Sequence, residues 1–355
     1  MKTIILAGSG HAHLEVIKAY SKNETTAHRF LLISPHRHTY YSGLIPRLIA
    51  GEIDAKNLTI NSADFAEAKG FTFIQDYVQS VNQLENKVTL ASGQKLQFDL
   101  LSMNVGGAPA ELISESPHDT IYLRPFDGFM PKWREIERIF STCMNPRFVI
   151  VGGGAAAVEV ATALRIRLLR NQTPKSEVHL VSKGPRLCET YTDEISATIL
   201  KSLLEFQINV HLNESVEKIF SKHLTLKNGS ELKFDSIFVV TPTQPSGIIS
   251  GKIDSKLRLS SNIFAVGDGT KMLAKPNLPR SGVIAVHQGR HLAQNIRNIL
   301  KGNNPIDFVV PQKQLNILIS GDRSARLVWG SLSFEGRWPL QLKNWIDEDY
   351  MKKFK

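Results

Sequence analysis

Two stretches of this chain share one outline. Near the start, Ile4-Ile5-Leu6-Ala7 drops into Gly8-Ser9-Gly10 and continues as the helix-like HAHLEVIKAY. From Gly8 to Gly152, 144 residues on, Phe148-Val149-Ile150-Val151 drops into Gly152-Gly153-Gly154-Ala155-Ala156-Ala157 and runs on through Val158-Glu159-Val160-Ala161. An apolar strand, a glycine turn and a helix in that order open a βαβ unit whose turn admits a dinucleotide. The first glycine allows the bend, the second lets backbone approach a pyrophosphate, and the third position lets helix and strand pack closely. Gly8 and Gly10 keep the two phosphate-facing roles. His13 stands third, and the expectation is that it loosens the packing and that a small helix shift absorbs it. Alone, this turn also reads as a tight strand-to-helix turn with no ligand. In the second turn Ala157 satisfies the third position.

The context of the turns is duplicated too. Each is followed by an apolar strand ending in serine, Phe30-Leu31-Leu32-Ile33-Ser34 and Val178-His179-Leu180-Val181-Ser182. TLASGQKLQFDLLSMNVGGAP starts at Thr89 and TLKNGSELKFDSIFVVTPTQP at Thr225, 136 residues later. Both read as a strand, a glycine turn, a second strand, Phe-Asp and a third apolar strand. A repeat of this period is a duplicated domain, not a solenoid unit. The expected fold is α/β, with two Rossmann-like (ββα-type) dinucleotide-binding domains, each carrying a β-meander, and a small C-terminal α+β cap.

At 355 residues the chain is long enough for two or three cores. With 42% apolar and 21% charged residues it has the composition of an ordered globular protein. Its 43 basic residues outnumber 33 acidic ones, but without long runs of one sign. That fits an anionic cofactor or a membrane surface better than nucleic acid. Two cysteines, Cys143 and Cys188, exclude a disulfide framework or a cysteine-rich metal site. His11, His13, His36 and His38 lie on two separate turns with no partners at ligand spacing, so no metal is expected. No stretch approaches the length of a membrane span, and the expectation is a cytoplasmic protein with peripheral membrane contact left open.

A third element points to the cofactor of the first unit. Ser261-Asn262-Ile263-Phe264-Ala265-Val266-Gly267-Asp268-Gly269 reads as a strand ending in Gly-Asp, ahead of a helix from about Ser281 to Leu300 closed by Gly302. An aspartate there can accept hydrogen bonds from a ribityl chain, and the following helix N-terminus can favour an anionic reduced flavin. Standing alone, Asp268 would read as a helix-entry turn.

Together, GSGHAHLEVI, SPHRHTYYSGLIPRLIAGEI, VGGGAAAVEVA, NIFAVGD and LPRSGVIAVHQGRHLAQNI resemble the pyridine nucleotide-disulfide oxidoreductase superfamily. Within it the chain is similar to the type II NADH dehydrogenase-like branch, and in particular to the FAD-dependent module fused ahead of selenophosphate synthetase in some proteins. The resemblance covers nearly the whole chain. It implies an FAD-binding domain over 1–109 and 247–304, an inserted NAD(P)-binding domain over 110–246, and a C-terminal segment over 305–355.

The resemblance also implies residue roles. Gly8, Gly10, His11 and Ala12 would form the flavin turn, with Ser34 toward the adenosine in place of the more usual acidic residue, and Arg37 would be a further cofactor contact. The segment from His38 to Gly51 would cross the flavin's reactive side, bringing Tyr40, Tyr41, Ser42 and Pro46 near it. Gly106, Gly267, Asp268 and Val283 complete the expected FAD contacts. Ala285, His287 and Gln288 fall where NADH:quinone reductases line the flavin edge; a polar helix stripe is the alternative. In the second unit Gly152, Gly154 and Ala157 would take NADH or NADPH. Glu159 would approach the nicotinamide or else lie on the helix surface. Ser182, Lys183 and Arg186 would suit a 2′-phosphate.

The implied activity is FAD-dependent NAD(P)H:acceptor oxidoreduction, with Tyr41, Ser42, His287, Gln288 and Glu159 as the candidate catalytic set. The acceptor would be a quinone or another small molecule. No cysteine pair lies beside the flavin stretch, which argues against disulfide reduction and disfavours sulfide:quinone chemistry. A redox-switch role and a selenium- or sulfur-linked acceptor stay open. At the C-terminus Leu342, Trp345, Ile346, Tyr350 and Phe354 recur at roughly helical spacing after Pro339, beside basic residues. Such a helix suits a membrane surface, its own domain or a second subunit, leaving a homodimer open.

Overall fold

The computed structural model describes residues 1–354 apart from 109–119, 125, 174, 246, 247, 249, 250, 277 and 279. The expected divisions at 109/110 and 246/247 fall outside the described residues. Two five-stranded sheets, parallel throughout, dominate the fold. In the first the order is Ile263–Ala265, Leu100–Met103, Thr3–Ala7, Arg29–Ser34, Thr72–Gln75. In the second it is Thr120–Tyr122, Ser236–Val239, Arg147–Val151, Glu177–Val181, Asn209–His211. The central strands of both are buried on both faces, as parallel sheets covered by helices require.

The duplication extends to single hydrogen bonds. Each Phe-Asp closes its sheet in the same way. Asp99 Oδ2 accepts from the Thr3 N–H at 2.6 Å, and Asp235 Oδ2 from the Arg147 N–H at 2.8 Å. Meanders accompany both sheets, Val78–Asn82, Lys87–Leu90 and Lys95–Gln97 in one, Val216–Ile219, His223–Leu226 and Glu231–Lys233 in the other. The edge strands differ in origin. Ile263–Ala265 follows the second sheet in sequence, whereas Thr120–Tyr122 precedes the strand that opens its own sheet. Gly107–Ala108 and Gln244–Pro245 pair antiparallel where the chain crosses between the two sheets.

The last part is a three-stranded antiparallel sheet, Leu315–Gly321, Ser324–Trp329 and Leu332–Gly336, followed by the helix Arg337–Lys352. Its core is continuous with that of the second sheet and with the short helix Ile45–Ile49. The buried stripe of the final helix differs from the apolar one read in the sequence. Pro339, Lys343, Asp347, Tyr350 and Met351 face inward, while Trp345 is 65% exposed. An ion-paired lysine and aspartate thus replace the tryptophan in the interface, and the helix docks on its own chain. Among the described residues no helix is long and apolar enough to cross a membrane.

Candidate functional site

The helices that open the two βαβ units begin without a side-chain cap, as the last helix does after Gly336. His11–Ala19 starts after Gly10 and Ala155–Arg170 after Gly154, and neither glycine offers an oxygen to the free N–H groups of the first turn. The helices Asp193–Glu205 and Gly282–Leu300 are conventional by contrast, capped by the Thr192 and Ser281 hydroxyls. Uncapped N–H groups together with the positive end of the helix make a site for an anion, and a dinucleotide pyrophosphate fits both turns.

At the first turn Gly8 has φ +93°, and a Cβ there would stand 2.3 Å from the Asn104 carbonyl oxygen. The Asn104 side chain lies under Gly10 and Gly267, where added Cβ atoms would come within 2.7 Å and 2.4 Å of it. Its Nδ2 is buried without a hydrogen-bond partner. Such a donor between two ligand-facing turns is costly unless a ligand accepts from it. Asn104 is the main site residue that the sequence reading missed.

His13 corrects a second expectation. It is fully buried and held by hydrogen bonds at both ring nitrogens, not left as a loose packing fault. Nδ1 lies 2.6 Å from the Gly8 carbonyl oxygen and Nε2 lies 2.8 Å from Ser102 Oγ. A carbonyl can only accept, so Nδ1 carries the proton and Nε2 accepts from the Ser102 hydroxyl. Burial lowers its pKa to about 4, keeping the ring neutral. The close approach that the third glycine normally permits is moved to a neighbouring helix, where a Cβ on Gly289 would sit 2.2 Å from the Ala12 carbonyl oxygen.

Above this turn lies an aromatic group. Tyr41 and Tyr350 stack with centroids 4.5 Å apart, and His11 lies 5.6 Å from Tyr41 and 6.1 Å from Tyr350. His11 Nε2 and the Tyr350 hydroxyl are buried without hydrogen-bond partners. Burial, with the positive charge of Arg124 nearby, lowers the His11 pKa to about 4.

Tyr41 Oη donates to Asp347 Oδ1 at 2.8 Å. Lys343 Nζ lies 3.5 Å from Asp347 and 3.8 Å from Glu159, whose carboxylate also accepts from the Ile319 N–H at 3.1 Å. Glu159 is therefore enclosed between the second unit and the C-terminal segment, not laid on a helix surface. Burial raises the pKa of both carboxyls. It also opposes the Lys343 charge, but the two acids prevail and hold that ammonium above its usual pKa. One cation is shared by two acids that burial makes reluctant to ionise.

The pyridine nucleotide-disulphide oxidoreductase family matches residues 2–289. The chain belongs to this family. The family is one of pyridine nucleotide oxidoreductases, which makes the chain an oxidoreductase. Among its relatives, a type II NADH:quinone oxidoreductase of Staphylococcus saprophyticus is 23% identical over 86% of this chain and 85% of its own. A probable NADH dehydrogenase of Dictyostelium discoideum is 21% identical over 85% and 75%. The solved structure of the sulfide:quinone oxidoreductase of Aquifex aeolicus superposes with a TM-score of 0.85 at 16% identity, covering 100% of this chain and 91% of that one. That of Plasmodium falciparum NDH2 with NADH gives 0.83 at 15% identity over 99% and 98%.

The remaining sequence candidates fall into groups. Ser34 is buried with its Oγ 3.0 Å from Ser9 Oγ, close to the first turn. Ser42 Oγ lies 3.7 Å from the place a Gly282 Cβ would take, and Pro46 is buried in the following helix. Gly106 has φ +71° and open space around it. Arg37 is engaged by Asp64 at 2.7 Å, on the outer surface. Asp268 is ion-paired with Arg124.

Gln288 is buried, and its Oε1 accepts from the Gly267 N–H at 2.7 Å. His287 is half-buried, and Val283 is 38% exposed on the same helix. At the second turn nothing lies within 4 Å of an added Gly154 Cβ. Ala157 is buried, and the Ser182 hydroxyl packs against Gly153. Lys183 is exposed and Arg186 is not free. Arg186 donates to the Tyr191 carbonyl at 2.8 Å and the Glu189 carbonyl at 3.0 Å, and it pairs with Asp193 at 3.0 Å. The case for a 2′-phosphate therefore rests on Lys183 alone.

Proposed function

We propose that the protein passes electrons from NAD(P)H to a quinone-type small acceptor. The observation that carries this reading is the pair of uncapped glycine-turn helices, one closed around a polar cradle and one open. FAD, when bound, supplies a hydride acceptor and a two-electron donor. The protein's own residues supply position and charge. The free N–H groups after Gly10, with Asn104 Nδ2, would hold the FAD pyrophosphate and ribityl region. Gly152, Gly154 and Ala157 would receive the nicotinamide dinucleotide, with Ser182 and Lys183 toward its adenosine end. His11, Tyr41, Ser42 and Pro46 would border the reacting ring. Gly106, Gly267, Asp268 and Val283 would frame it from the first unit, and Arg37 and Ser34 would lie toward the adenosine.

Tyr41, Asp347, Lys343 and Glu159 form one buried cluster that reaches from the His38–Gly51 segment to the second unit. Because burial raises both carboxyls and one lysine serves both, the cluster is suited to hold a proton on Glu159 or Asp347 as charge changes beside it. His287 would stand near the acceptor's approach. Named relatives are NADH:quinone oxidoreductases, which supports the quinone assignment. The domain division 1–109, 110–246, 247–304 and 305–355 belongs to this reading, as do peripheral membrane contact through the exposed Trp338 and Trp345 and a homodimer.

Sulfide chemistry through a cysteine persulfide has little support. Cys188 is buried beneath the second turn, its N–H donating to the Gly153 carbonyl at 2.7 Å, and burial pushes its thiol up to about 12. The test is steady-state oxidation of NADH and of NADPH by a water-soluble ubiquinone analogue under anaerobic conditions. Quinone-dependent turnover that survives substitution of both cysteines by serine is expected. Turnover that needs a cysteine, or that occurs only with sulfur or selenium acceptors, would replace the quinone assignment.

A further inference from the structure

Beside the Gly267–Asp268 turn lies a shallow cleft, bounded by that turn and by the start of the helix Gly282–Leu300. Its floor is already committed. The Gly267 N–H goes to Gln288, and Asp268, the one acidic side chain among the described residues that line the cleft, is paired with Arg124. The rim carries Lys271, Lys275 and Arg280. Among the described residues, none gives any of these three side-chain cations an ion pair or a hydrogen bond. By comparison, Arg47, Arg170, Arg258, Arg290 and Arg297 each meet a carboxylate within 3.1 Å. The cleft therefore concentrates positive charge that the fold does not neutralise. The positive end of the 19-residue helix adds to it. Low-dielectric walls focus such a field on whatever enters.

We propose that this cleft binds the fixed negative charge of the electron acceptor, so that the protein prefers a small anionic quinone-type acceptor, carrying a carboxylate or similar group, to a neutral one. This rests on the acceptor reading above and narrows it. The overall reaction balances as NAD(P)H plus one proton plus quinone giving NAD(P)⁺ plus quinol. The anionic substituent takes no part in the electron transfer and serves only to hold the ring.

The test uses the FAD-loaded protein reduced with dithionite, so that failure of the NAD(P)H reading leaves it intact. Reoxidation is followed by stopped-flow with 1,4-naphthoquinone-2-sulfonate and, separately, with neutral 2-methyl-1,4-naphthoquinone. Each is measured at low and high salt, in the parent and in the Lys271→Glu/Lys275→Glu variant. Comparing the proteins within each quinone removes the difference in driving force. The charge reversal is expected to slow the sulfonate reaction by roughly tenfold or more at low salt, with the gap closing as salt rises. The neutral quinone should change by less than about twofold. The milder Lys271→Ala/Lys275→Ala variant should fall between the two proteins. Equal effects on both quinones, or no effect on either, would overturn the assignment. So would a variant that purifies depleted of FAD while the rates of its loaded fraction are unchanged, since the cations would then serve the cofactor.

Discussion

The two glycine turns make matching backbone contacts with different side chains. In each, the first glycine faces a carbonyl oxygen, Asn104 in one and Val240 in the other, with Cβ clearances of 2.3 Å and 2.4 Å. In each, its N–H donates to the neighbouring strand, Gly8 to Ile33 and Gly152 to Val181. The side chains then part company. His13 and Ser102 form a buried polar pair where Ala157 and Phe238, at the duplicated positions, are both buried and apolar. Asn104 with its orphaned amide stands where the second unit has Val240. Gly10 is crowded by Asn104, and Gly154 has nothing near it. The first turn is a closed polar cradle suited to a cofactor that stays. The second is an open ledge suited to a nucleotide that comes and goes. Duplication supplied the backbone, and a few side chains divided the work.

The strongest way to break this comparison is to add side chains to the two turns. Gly8→Val forces a β-branched residue to φ +93° against the Asn104 carbonyl, and the purified protein is expected to lose nearly all of its FAD, read as the flavin-to-protein absorbance ratio. Gly154→Ala meets no protein atom. It should keep FAD and only raise the KM for NAD(P)H, by roughly three- to tenfold, because the added methyl faces the pyrophosphate.

Next in size is His13→Ala, which opens a cavity and strands the Ser102 hydroxyl and the Gly8 carbonyl. A loss of about 3 kcal/mol in denaturant unfolding is expected. Adding Ser102→Phe recreates the two apolar residues of the second unit and should recover part of it. An additive or larger loss in the double variant would mean that the two turns are not interchangeable as packing units.

Asn104→Val copies the second unit and should fold normally. It should weaken FAD binding by roughly tenfold, the worth of one hydrogen bond to a charged group. Unchanged affinity would remove Asn104 from the cradle.

The smallest effect is on acid stability. His13 and His11 both fall from 6.5 to about 4 on burial, so the unfolded chain takes up protons below pH 6.5 that the folded chain refuses. Stability should be flat in this respect above pH 6.5 and decline from there toward pH 4, and the decline should be shallower in His13→Ala. Melting temperature against pH measures both slopes. Equal slopes in the two proteins would assign the acid sensitivity to other groups.

Much of this was legible because it is local. The paired strand, turn and helix, the meanders, the Phe-Asp closures and the helix capped by Ser281 are all short-range patterns. Ile263–Ala265 was legible as a strand but its neighbour in the sheet was not, and Thr120–Tyr122 was not legible at all, because both pair with strands far away in sequence. The inward face of the last helix was misread for a related reason. Lys343 and Asp347 are buried only because Tyr41 and Glu159, from distant segments, meet them there. Arg186 looked free because its partners, two backbone carbonyls and Asp193, come from the way its own loop folds. Asn104 did leave a signal. A polar residue follows the strand LLSM where valine follows its duplicate, and comparing the repeats position by position would have exposed it.

The central claim is that one turn holds FAD while the other delivers NAD(P)H to it. Anaerobic stopped-flow mixing of the purified yellow protein with NADH, and separately with NADPH, tests it most directly at the oxidised flavin band. The account predicts rapid single-turnover bleaching by at least one nucleotide, slowed in Gly154→Ala at subsaturating nucleotide. A protein that carries FAD but is bleached by neither nucleotide would contradict it.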